Sequence, residues 1–296
     1  MTAPGLSAFP KCFLNEIGPG RRLSVFEWIE MARTLDVEGL EIYDAFLESD
    51  EPGYLDAVRA AVEATGRCIP MFCCSPDLVH PDPAERTAEF DRQRQHLRTA
   101  ARLGCRTCRV LSGQRHPEVG VEEGIQWVVG AIRSLLPLAR ELGIRLAMEN
   151  HYKDGQWRYP EFAQKPAVFL RIVEAIDDPA FGVQYDPSNA LVAGADPVAF
   201  LRQVQHRVIS MHASDRYLLP GHTLAELAAA DGDLGYSPIL VHGEIGKGLN
   251  DYDAIFKILA DIGYSGWIST EDGNDGMEQL QRSVAFLQQM RRRYFP

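Results

Sequence analysis

Arg106-Thr-Cys-Arg-Val-Leu111, a helical stretch over 122–142, then Ile144-Arg-Leu-Ala-Met-Glu149: these 44 positions carry one whole repeat of the pattern that decides the fold. The two outer segments are apolar-rich runs of strand length. Between them Ile125, Val128, Val129, Ile132, Leu135 and Leu136 recur at helical spacing, Pro137 is expected to bend the helix, and Gly143 closes it. The alternation extends both ways. Upstream, strands are predicted over 10–15, 39–43 and 68–73, with helices over 24–35, 54–65 and 84–103. Downstream, helices over 167–176, 197–204, 252–262 and 277–290 alternate with strands over 182–186, 208–212 and 267–271. Eight strands and eight helices without a break predict one α/β domain over 1–296, a (β/α)8 TIM barrel with long βα loops over its C-terminal face. A doubly wound sheet would need a glycine-rich phosphate turn after an early strand. Glu16-Ile-Gly-Pro-Gly20 is not one, because Pro19 removes a donor.

Composition narrows the partners. With 46% hydrophobic residues the 296-residue chain can build a large core. Thirty Lys and Arg against 41 Asp and Glu give a net charge of -11, which opposes docking on nucleic acid or anionic membrane. The N-terminus lacks a basic and apolar leader, and no apolar run approaches the ~18–20 residues that span a bilayer. The expected compartment is therefore the cytoplasm. Cys12, Cys68, Cys73, Cys74, Cys105 and Cys108 lie in apolar surroundings and read as reduced, mostly buried thiols, the Cys105–Cys108 spacing included.

In a barrel of this kind chemistry sits where strands end. Four neighbouring strands each end in a metal-capable side chain: Glu149, Asp186, His212 and Glu271. Three carboxylates and one imidazole suit one divalent cation, Mn²⁺ first, with Mg²⁺, Co²⁺, Fe²⁺ and Zn²⁺ as alternatives. Buried carboxylates gathered at strand ends would repel without a compensating cation or proton.

These residues, the Asp186-Pro-Ser-Asn189 turn, the stretch Gly246-Lys-Gly-Leu-Asn-Asp-Tyr252 and the run from Ile268 to Asp272 resemble, in order, the xylose-isomerase-like barrel superfamily. The resemblance spans nearly the whole chain. It implies the metal ligands Glu149, Asp186, His212 and Glu271, with Glu149 and Glu271 also acting as the acid/base pair on opposite faces of a sugar. The chain departs from the pattern at Asn189, where endonuclease IV and many epimerases of the superfamily carry His. It also lacks the Asp-x-His pair that the nuclease needs, so DNA repair is not the expected activity.

Further residues follow from position. His151, two residues past Glu149, could act as a base or could orient Glu149. Arg115 and Arg216 are candidates for gripping substrate oxygens, Asn189 for bonding a hydroxyl, and Trp157 and Phe72 for packing against a sugar's C–H face. Lys153 reads as solvated, and Lys11 and Glu41 as a structural pairing across the barrel floor. His242 and Glu244 are not expected to ligate. The stretches 152–165 and 215–251, the second with a short helix over 224–230, read as covers.

The expected activity is a metal-dependent isomerase or epimerase acting on a keto sugar by removing a proton next to the carbonyl. The alternative is a lyase that cleaves 3-oxo-glycosides, resembling C-glycoside deglycosidases with a small partner subunit. A non-catalytic sugar-binding subunit ranks third. The expected partners are a small carbohydrate and further copies of the chain, with neither nucleic acid nor membrane.

Overall fold

The apolar runs form eleven strands among the residues that this computed structural model describes, namely 2–229, 238–271 and 276–296. They are β1 (Gly5–Ala8), β2 (Gly39–Leu40), β3 (Ile42–Tyr43), β4 (Met71–Cys73), β5 (Thr107–Val110), β6 (Arg145–Glu149), β7 (Phe181–Tyr185), β8 (Val208–Ala213), β9 (Asp215–Leu218), β10 (Leu240–Gly243) and β11 (Trp267–Thr270). Every residue of β5 and β7 is buried, as expected for parallel strands covered on both faces. Nine strands pair in parallel in the order β2-β1-β11-β8-β7-β6-β5-β4-β3. Only Glu41 separates β2 from β3, and its N–H donates to Ala8 O at 3.0 Å. These are two halves of one strand, and the sheet thereby rolls up into the expected (β/α)8 barrel. No described helix is long and apolar enough to cross a membrane.

Helices cover the outside. Pro83–Arg102 starts on an Asp82 cap with Pro at its first turn, and Val121–Glu141 buries the Ile125–Leu136 stripe. Pro137 lies inside this helix without ending it. All six cysteines are free. Cys73, Cys74, Cys105 and Cys108 are buried, while Cys68 is exposed and Cys12 half-buried.

Two expectations need correction. The first strand is Gly5–Ala8, not 10–15. Pro10 lacks the N–H that a ladder needs, and the chain turns helical at Lys11–Phe13 and Leu14–Ile17. Lys11 therefore sits at the barrel mouth instead of its floor. The 215–251 stretch is more than a loop: β9 and β10 form an antiparallel hairpin that pairs Asp215 with Gly243. The helix there is Leu224–Ala229, and position 230 of the expected span lies outside the described residues, as do 231–237 and Asp272. The sequence pattern also missed the short helix Pro187–Val192 directly after β7.

At the barrel's other end two glycines make room for an indole. A Cβ on Gly5 would fall 2.6 Å from Trp267 Cζ3, and one on Gly39 would fall 3.0 Å from the same atom. Gly5→Ala is expected to cost about 1–3 kcal/mol by overpacking. Urea unfolding measures this, and an unchanged midpoint would show that the indole moves aside freely.

Candidate metal centre

Each of the four strand-end side chains is placed by the element that carries it. Glu149 is the last residue of β6, and His212 lies near the end of β8. Asp186 follows β7 and caps the helix Pro187–Val192, its carboxylate accepting the Asn189 N–H at 2.8 Å. Glu271 follows β11, its N–H donating to Ala213 O at 2.7 Å. All four are buried, and one ligand atom from each lies within 4.8 Å of the others.

Cations hold two of the carboxylates. Arg109 donates to Glu149 Oε2 at 2.8 Å, and Asn189 Nδ2 to Glu149 Oε1 at 3.2 Å. Burial alone would raise Glu149, but Arg109 and His212 hold its carboxyl down to about 2. Lys11 Nζ reaches Glu271 Oε1 at 3.0 Å and, against burial, holds that carboxyl below the ordinary range. Asp186 has hydrogen bonds from Ser214 Oγ at 2.9 and 3.0 Å but no Lys or Arg paired to it among the described residues. Burial and the neighbouring Glu271 and Glu149 push it well up.

His212 is the hinge of the charge arrangement. Its Nε2 meets Glu41 Oε2 at 2.8 Å, which orients the ring from behind. Its buried Nδ1 has no hydrogen-bond partner among the described residues and faces Glu149 Oε1 at 3.4 Å and Glu271 Oε1 at 3.8 Å. Burial lowers its pKa, yet Glu41 and Glu149 raise it well above the usual imidazole value. An orphaned ring nitrogen facing three crowded carboxylates fits a divalent cation.

A cavity of about 170 Å³ opens above, lined among others by Lys11, Tyr43, Arg109, His151, Lys153 and Glu271. His151 is thus at the mouth, against Trp157 at 6.2 Å between ring centroids. Trp157 itself lines a neighbouring cleft with Asp154, not this cavity. Asn189 touches Glu149 as described. Arg216 is buried with its guanidinium 5.2 Å from the centre of the Tyr152 ring. Arg115 lies elsewhere, donating to Gln164 Oε1 at 3.4 Å, and does not line the cavity. Phe72 is core, edge-on to His96. Glu244 pairs with Lys247 and Arg282. Sequence reasoning missed Arg109 and misplaced Lys11 and Glu41. Arg109 did leave a signal: a charge inside an apolar strand has to find a buried partner.

A family model described as "Xylose isomerase-like TIM barrel" matches residues 29–290. The inosose dehydratase of Geobacillus kaustophilus (strain HTA426) is 27% identical over 151 residues, 50% of this chain and 45% of that protein. The chain spans 28 to 51% of the length of the curated relatives it matches. Among solved structures, a D-tagatose 3-epimerase-like protein superposes with a TM-score of 0.73 at 18% identity, covering 97% of this chain and 96% of that one. The IOLI protein, solved with a bound zinc atom, gives 0.72 at 16% identity, covering 98% and 99%. At these identities the structural likeness is one of fold.

With Asp186 and His212 both shifted up, metal binding has to displace protons. Titrating Mn²⁺ or Zn²⁺ at pH 7 is expected to release protons, at least that of His212, read by calorimetry in buffers of different ionisation enthalpy. Binding without proton release would place the ion somewhere other than on Asp186 and His212.

Proposed function

Because the chain belongs to the xylose isomerase-like TIM barrel family, we propose that it is a divalent-metal-dependent enzyme that isomerises or epimerises a keto sugar by removing a proton next to the carbonyl. One observation carries this reading: Glu149, Asp186, His212 and Glu271 bring a ligand atom each within 4.8 Å of one another, and Glu271 also lines the cavity of about 170 Å³. Those four would hold the ion, Mn²⁺ in the first instance, with Mg²⁺, Co²⁺, Fe²⁺ or Zn²⁺ as alternatives. When bound, the ion polarises a carbonyl oxygen and offsets negative charge that develops on it.

The chain's own residues supply the proton chemistry. Glu149 and Glu271 are the acid/base pair: Arg109 and Lys11 hold both as carboxylates before reaction, the one facing the C–H bond takes its proton and so becomes the acid that returns it in isomerisation, and in epimerisation the opposite one first takes a proton from solvent. The Arg109 and Lys11 bonds also fix the direction in which each carboxylate presents its oxygens. Asn189 sits beside Glu149, where it can bond a hydroxyl as the pair exchanges protons. Arg216, 5.2 Å from the ring of the cavity-lining Tyr152, binds the outer part of the substrate, whereas Arg115 and Trp157 lie outside the cavity and drop out of that role. The enzyme works as a cytoplasmic homo-oligomer, its free thiols suiting a reducing compartment.

Glu271→Gln keeps one oxygen and the size but removes charge and basicity. Turnover is expected to fall ~10²–10⁴-fold at saturating metal, with a comparable loss in Glu149→Gln. Solvent deuterium exchange into a bound ketose measures the step directly, and near-normal exchange in Glu271→Gln would sink the assignment.

A second reading, a lyase acting on 3-oxo-glycosides with a small partner subunit, is favoured by His151 in the cavity wall with Tyr152 and Trp157 against its ring. A base separate from the carboxylate pair and an aromatic platform suit a bulky leaving group. Incubation with free ketohexoses and with 3-oxo-glycosides separates the two, the first reading expecting consumption of the ketohexose. Consumption of the glycoside alone would replace it with the lyase.

A further inference from the structure

Glu161 lies outside the carboxylate cluster. It is fully buried, and a buried carboxylate persists only where its charge is met. One oxygen is accounted for. Oε1 accepts the Ser112 N–H at 2.8 Å and the Ser112 hydroxyl, and that hydroxyl oxygen accepts the Ala163 N–H at 3.0 Å. The Glu161 N–H donates to Tyr152 O at 2.8 Å, so the residue is tied at both ends of the loop that follows β6.

The other oxygen faces His151. Glu161 Oε2 stands 3.4 Å from His151 Nδ1, and neither atom has a hydrogen-bond partner among the described residues, although both are buried. The imidazole is fixed by its neighbours, stacked on Tyr152 with centroids 5.2 Å apart and edge-on to Trp157. A neutral imidazole carries its proton on one nitrogen only. With the proton on Nε2, the Nδ1 lone pair would oppose a buried carboxylate oxygen. With the proton on Nδ1, the same contact becomes a charge-assisted hydrogen bond.

We propose that Glu161 is a positioning residue for His151. Its Oε2 takes the Nδ1 proton in a hydrogen bond, selects that tautomer, and leaves the Nε2 lone pair to accept a hydroxyl of a polyhydroxylated substrate in the cavity that His151 lines. The use made of Nε2 rests on the carbohydrate reading above. The tautomer does not, since it needs neither metal nor substrate.

The test is ¹⁵N nuclear magnetic resonance of the full chain at a pH where the ring is neutral, metal-free and with Mg²⁺, with His151→Gln assigning the signal among the eight histidines. The Nδ1–H tautomer is expected in about tenfold excess or more, as a hydrogen bond to a charged group implies. In Glu161→Gln the amide can donate to Nδ1, so the ratio is expected to reverse while Mn²⁺ affinity stays unchanged. A wild-type His151 protonated on Nε2 overturns the proposal even where the variant fails to fold. So does an unaltered ratio in a folded Glu161→Gln, or a loss of Mn²⁺ affinity in that variant. Failure of both proteins to bind metal would instead remove the enzymatic reading and leave the tautomer standing.

Discussion

Crowding of negative charge at the barrel mouth organises the rest of this molecule. Three carboxylates lie within 4.8 Å of one another out of contact with water, and at an effective dielectric of ~20 each ionised pair opposes folding by at least about 3 kcal/mol. Lys11 answers Glu271 and Arg109 answers Glu149. His212 is held cationic between Glu41 and the carboxylates, and Asp186 is left with only hydroxyl and N–H donors, so its proton affinity rises. A divalent ion would complete what the protein's own charges leave unfinished.

Barrel closure is what makes those pairings available. Arg109 stands opposite Ala147 in the β5–β6 ladder, so Glu149, two residues on and on the same face, comes within reach of its long side chain. Ala8 pairs with Thr270 where β1 meets β11, and Lys11 and Glu271, just beyond those positions, meet at the rim. The Asp186 carboxylate is aimed by its role as a helix cap. Fold stability and site geometry therefore share the same hydrogen bonds.

What distinguishes one reaction from another on this scaffold lies in the next layer of residues. Isomerisation, epimerisation, dehydration and elimination begin with the same proton removal and diverge according to which groups surround the substrate. Here that layer includes Asn189 beside Glu149, and the loop after β6, which sets His151 against Tyr152, Trp157 and Glu161. The loop is anchored through Ser112, two residues past β5, whose N–H and hydroxyl bond Glu161 and Ala163.

The alternation of strand and helix is a local property of the chain, and it was legible by itself. Val128 and Leu135 share a helix face wherever the helix ends up, and the boundaries of most elements shift by only a few residues between expectation and structure. Because barrel chemistry follows strand ends, Glu149, Asp186, His212 and Glu271 could be singled out from the same pattern, and the fold gathers them. What the sequence could not decide is who compensates whom. Lys11 and Glu271 are 260 residues apart in the chain, His212 and Glu41 171, and Arg109 and Glu149 40. Local pattern also misread Pro10 as strand, and with it the place of Lys11, since a ladder position depends on the partner strand's register. Charge pairing is a through-space energy that falls with distance, and those distances exist only once the sheet has closed.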